Sequence, residues 1–152
     1  MKHIIAIWHT AGKGKSETIR QIANQFLLLY PMATPVFPTT IIVPPTGDFR
    51  LIVQVIFNGV LTTVALESQG DPNTWLEDRL TDLTVNFHCD IIFCTCRTRG
   101  ETVNAVNNIA RNHSFNTIWS STYEIAGQAN QTIANQQKGL HIIQLLQALS
   151  II

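Results

Sequence analysis

At 152 residues the chain has the length of one domain, able to bury about two-thirds of its unfolded surface around a single core. Hydrophobic residues make up 45% and charged residues 13%, a balance that excludes a disordered segment and predicts a compact globule over residues 1–152. Ten basic residues match ten acidic ones, so no overall field draws the chain to nucleic acid or to an anionic membrane, and neither is the expected partner.

No apolar run reaches the roughly 18 to 20 residues that span a bilayer, and the first residues lack the pattern of a secretory leader. The expected location is the cytoplasm. Cys89, Cys94 and Cys96 lie in or beside one apolar run without a disulfide or zinc spacing, and read as reduced, buried strand thiols.

In chain order, residues 3–8 form a nearly continuous apolar run, as in a strand buried on both faces. From Ser16 the period becomes helical, with Ile19, Ile22, Ala23, Phe26, Leu27 and Tyr30 on one side and Pro31 as the stop. Residues 31–48 hold five of the six prolines and read as an extended connection with a short strand at 40–43. Then "FRLIVQVIFNGVLTTVALES" gives two β-rich runs around Asn58-Gly59, a hairpin.

Asp71 is placed to cap a helix with Pro72 at its first position and Leu76, Leu80, Leu83 and Phe87 as its apolar stripe. "CDIIFCTC" reads as a buried strand, and Val103, Val106, Ile109 and Ala110 mark the next helix. "FNTIWSSTY" is the last strand, and residues 124–149 are helical, with a break expected at Gly139. Strands alternating with helices predict a largely parallel α/β sheet covered on both faces, with its ligand site beyond the carboxyl ends of the strands.

One such end carries "HTAGKGKS". The pattern G-x-G-K-[ST] arises by chance in roughly one chain of this length in two hundred, taking average residue frequencies. Here it falls between a strand and a helix, the setting in which such a loop cradles phosphate. Gly12 and Gly14 let backbone N–H groups approach an anion, and the helix start directs its positive end there.

On these residues the chain resembles the P-loop NTPase superfamily, departing at His9, where the first glycine is usual. The resemblance implies a three-layer α/β/α fold, mostly parallel with one antiparallel hairpin strand. It also implies nucleotide contacts from Thr10, Ala11, Gly12, Lys13, Gly14, Lys15, Ser16 and Glu17, with Lys15 on the β- and γ-phosphates and Ser16 on Mg²⁺. The hairpin ending in Glu67-Ser68-Gln69-Gly70, preceded by Pro45-Thr46, is similar to the second half of the site in Ras-like small GTPases.

By that likeness Glu67 ends a strand beside the loop and serves as the magnesium and catalytic acid, with Thr46 as a lesser candidate. The guanine-reading motif of that family is missing: "CRTRGE" stands in its place, so ATP is preferred to GTP, and Arg97 and Arg99 are candidates for the base or a phosphate.

The leading expectation is therefore Mg²⁺-dependent binding of a nucleoside triphosphate with hydrolysis or phosphoryl transfer. The alternatives are a non-catalytic nucleotide-binding module and a small nucleotide or metabolite kinase. A protein partner or a second copy of the chain, docking on the apolar tail "HIIQLLQALSII", stays open beside burial of that tail in the core.

Overall fold

The structure is a computed structural model that describes residues 1–152. Its elements in order are β1 (Lys2–Trp8), α1 (Lys15–Leu29), β2 (Thr34–Phe37), β3 (Arg50–Phe57), β4 (Val60–Glu67), α2 (Leu76–Val85), β5 (Ile91–Cys96), α3 (Glu101–Asn112), β6 (Phe115–Ser121) and α4 (Gln128–Ala148). The six strands form one mixed sheet in the order β2-β3-β4-β5-β1-β6. β4, β5, β1 and β6 run parallel, and β3 is antiparallel to both its neighbours.

Strand alternation sorts the core onto two faces. Ile5 and Ile7 of β1 join α1 and α4 in one cluster, while Ile4 and Ala6 join α2 and α3 in the other. Helices thus cover both faces of the sheet, which explains why β1 and β5 read as continuous apolar runs rather than alternating ones. Cys89, Cys94 and Cys96 are free and buried in the second cluster, and burial pushes the Cys89 and Cys96 thiols up to about 12.

The hairpin forms as its Asn-Gly pair predicts. Asn58 and Gly59 both take positive φ, 48° and 82°, and Phe57 pairs directly with Val60. Three expectations are corrected. The Pro-rich connection contributes its strand at Thr34–Phe37, not at 40–43, pairing with β3 at the sheet edge, where proline's missing N–H is tolerated.

The second correction concerns the start of α2, at Leu76 rather than beside Asp71. Asn73 and Trp75 take φ of 63° and 57°, which breaks any helix begun at Pro72, and residues 71–74 form a turn closed by the Thr74 hydroxyl donating to the Asp71 carbonyl at 2.6 Å. α4, thirdly, passes through Gly139 without a break.

Gly139 is an approach point rather than a stop. A Cβ there would lie 2.8 Å from the Gln21 Cβ and 3.1 Å from the Ile22 nitrogen, so α4 crosses α1 at a distance only glycine allows. Val or Leu at 139 would force the helices apart. Gly139→Leu is expected to lower the unfolding free energy by about 2 kcal/mol, as overpacking does, read as a lower denaturant midpoint with an unchanged slope.

Candidate functional site

The loop from His9 to Gly14 joins β1 to α1 over the carboxyl end of the sheet. Left-handed backbone is required at Gly12 (φ 65°) and Gly14 (φ 76°) and not at His9, so the histidine costs the turn no backbone strain. The His9 Nδ1 accepts from the Thr10 amide at 2.8 Å, which leaves Nε2 toward Glu124, 3.6 Å away. Glu124 also holds Lys13, whose ammonium keeps its carboxyl below the usual range. Position 9 thus fastens the loop to the segment after β6.

Gly14 is the N-cap of α1 and supplies no side chain to close the helix start. The N–H groups of residues 12–17 consequently find no acceptor within the chain. The same residues help to line a cavity of about 150 Å³, walled by Gly12–Glu17, Asp48, Ser68, Gly70, Asp71 and Thr95 and by no hydrophobic residue. That volume is smaller than a whole ligand pocket and suits phosphate groups with an ion.

Lys15 is 7% exposed and its ammonium donates to the Thr10 carbonyl at 2.9 Å, with Asp71 Oδ1 at 3.7 Å. Loss of hydration lowers its pKa, and the nearby Asp71 only partly opposes this. The Ser16 hydroxyl lies 2.8 Å from Asp48 Oδ1 and 3.1 Å from the Ser68 carbonyl. Ser68 in turn accepts from the Phe49 amide at 2.7 Å and reaches Asp48 at 3.3 Å, while the Thr95 hydroxyl donates to the Ser68 carbonyl at 2.7 Å. Gly70 is pressed onto β5 so closely that a Cβ would fall 1.7 Å from the Thr95 carbonyl oxygen.

Of the acids, Glu67 is the correction. β5 lies between β4 and β1, so β4 does not flank the loop's own strand. Alternation along β4 then decides the rest: Ala65 faces α2 and α3, Leu66 faces α1, so Glu67 and Ser68 point to opposite sides. The Glu67 carboxylate is fully buried, accepting from Arg50 Nε and Arg79 Nη2, each at 2.7 Å, and it does not line the cavity. Asp48 and Asp71 do, as does Glu17.

Asp71, expected as a helix cap, lies instead between Lys15 and Arg97, whose Nε is 2.9 Å away but directed poorly for a hydrogen bond. Thr46 is exposed and outside the cavity, two residues from Asp48. Ala11 is exposed on the loop, and the Glu17 side chain turns away to Arg20 and Gln21. Arg99 lines a separate cavity of about 480 Å³ with Thr10, Pro72, Arg97 and Thr98.

Two positioning residues were not singled out from the sequence. Arg20, buried on α1, donates to the Pro44 and Gly47 carbonyls at 2.6 Å each and so holds the segment that presents Asp48. Asn135 of α4 packs against Gly14, where a Cβ would meet its Oδ1 at 2.7 Å. Its neighbour Gly139 was the only visible signal for that contact, and it pointed to a helix break.

Cation capacity follows from the donor set. No group of three or more His, Cys, Asp or Glu side chains converges. Ser16 and Asp48 do supply a hydroxyl and a carboxylate, the donors that suit Mg²⁺ when phosphate oxygens and water complete its octahedron.

No protein-family model, curated protein or solved structure matches the chain at a significant level. Geometry alone therefore carries the reading of the site. Glu67→Gln removes the charge that two guanidiniums share in the interior. It is expected to lower stability by about 3 kcal/mol in chemical denaturation, although Arg50 keeps Asp82.

Proposed function

We propose that the protein is a P-loop-type domain that binds the phosphates of a nucleoside triphosphate with Mg²⁺ and hydrolyses or transfers the terminal phosphoryl group. The observation that supports the reading is the set of six N–H groups, residues 12–17, without acceptors in the chain, on residues that line a cavity with no hydrophobic wall, Lys15 and Ser16 among them. Such a set costs free energy unless water or an anion accepts from it, and a polyphosphate supplies acceptors at the matching density.

Within this reading Lys15 exchanges the Thr10 carbonyl for phosphate oxygen, a charge-assisted contact stronger than the one it leaves. Ser16 and Asp48 would hold the ion, which would supply charge neutralisation at the phosphates. Asp71 is the carboxylate that accepts a hydrogen bond from an attacking water or acceptor hydroxyl, with the Arg97 guanidinium 2.9 Å from its Oδ1. ATP is favoured over GTP because the segment after β5, Arg97 to Gly100, offers no carboxylate to the guanine edge.

A second reading, binding without turnover, is favoured by the same Asp71, since two cations already engage it. Titration of ATP and GTP with and without Mg²⁺, followed by a phosphate-release assay, separates the two. Lys15→Ala is expected to weaken triphosphate binding at least tenfold, and Asp48→Asn to remove most of the Mg²⁺ dependence while leaving metal-free binding near its original strength. Indifference of binding to Lys15→Ala would end the phosphate-loop reading. Tight, Lys15-dependent binding with no phosphate release would select the non-catalytic module.

Lys15 also makes binding proton-linked. Its pKa in the free protein lies below the ordinary lysine value, and an anion in the cavity raises it. Bound protein therefore holds more protons across the window between the free and bound values. Affinity is expected to be full below the free-protein pKa and to fall as pH rises through that window, with proton uptake seen as a buffer-dependent binding enthalpy. Lys15→Ala abolishes the uptake.

A further inference from the structure

Two indoles stand beside the loop on the far side of the sheet. Trp8 ends β1 and Trp119 lies on β6 opposite Ala6 in register; they keep 36% and 38% of their surface exposed. By alternation Trp8 shares the face of Ile4 and Ala6, the face that α3 covers, whereas α1 starts on the other side. With Val103 and Asn107 of α3 and with Thr98, the two indoles line an open slot of about 270 Å³.

Thr98 is shared with the cavity of Arg97 and Arg99, and Arg97 contacts Asp71 of the phosphate cavity. The indoles, the two guanidiniums and Lys15 thus lie in neighbouring cavities along this end of the sheet. Asn107, Thr98 and Arg99 present exposed side chains there.

Side chains of this kind suit one ligand chemistry. Indole faces take a flat ring by stacking, an amide at the slot's edge reads ring nitrogens and carbonyls, and paired guanidiniums take phosphate. A long single strand would need a basic groove that continues beyond the slot, and the chain is net neutral.

We propose that the slot is a second nucleotide subsite, holding the base of a mononucleotide on Trp8 and Trp119 with its edge toward Asn107 and its phosphate on Arg99 and Arg97. The orientation of that phosphate, toward the loop cavity, rests on the function proposed above; the stacking itself does not.

The test uses indole fluorescence in a Trp75→Phe background, since Trp75 lies outside the slot and is largely exposed. Adenosine and uridine 5′-monophosphates are titrated into the full chain. Saturable quenching is expected, weakened about fivefold or more by Trp119→Ala and, on an exposed and unpaired side chain that puts folding at no risk, by Arg99→Ala. Quenching should survive Lys15→Ala and saturation of the loop with a non-hydrolysable triphosphate.

Absence of saturable quenching, or quenching unchanged in both slot variants, overturns the proposal. Loss of quenching in Lys15→Ala, or on adding the triphosphate, overturns it too, because the monophosphate then occupies the loop cavity. An octathymidylate that binds more than tenfold tighter than the monophosphates overturns the assignment to a mononucleotide. Slot quenching in a protein that binds no triphosphate would leave the slot standing and remove the phosphate-loop function.

Discussion

The close crossing of α4 over α1 is the constraint on which the site depends. At Gly139 the two helices meet nearly backbone to backbone, and one turn earlier along α4 Asn135 is brought against Gly14. Gly14 takes a left-handed conformation, and the Asn135 side-chain amide fills the space where a Cβ would stand. The shape of the loop is thus imposed from two directions: locally by glycine, and from a distance of more than a hundred residues by a helix that offers little apolar surface over its first half.

A second layer of organisation is electrostatic. Consecutive residues at the end of β4 are sent to opposite faces, and each meets a different chemistry. Glu67 goes into the interior, where Arg50 and Arg79 satisfy it and tie β4 to β3 and α2. Ser68 goes to the face of α1 and becomes the junction between Ser16, Asp48 and Thr95. The acid that braces the fold and the acids that face the cavity are therefore different residues, and the two can be altered separately.

Much of the architecture was legible because it is written in local pattern. The buried strands, the Asn58-Gly59 turn, the helices and the glycine loop each follow from period or from a backbone angle that few residues adopt. What escaped was set by tertiary pairing. The order β4-β5-β1 is a choice among strands of similar composition, and nothing along β4 alone announces which neighbour it takes. Parity did carry a usable sign for Glu67, since it shares a face with Ala65 and not with Leu66, but the sign has meaning only once the face of each helix is known. Asp48 and Arg20 were hidden more deeply: a proline-rich connection has no period from which to infer that one residue of it returns to α1.

Two of the three thiols, Cys94 and Cys96, lie on β5 inside the sheet, and the third, Cys89, lies just before that strand. All three are buried in the core cluster that α2 and α3 cover, and burial keeps two of them protonated far above neutral pH. Oxidants and alkylating reagents act on the thiolate, so the folded molecule presents them with almost none. Modification must wait for the sheet to open, and the rate at which these cysteines are labelled becomes a clock for that opening, readable without any knowledge of the ligand.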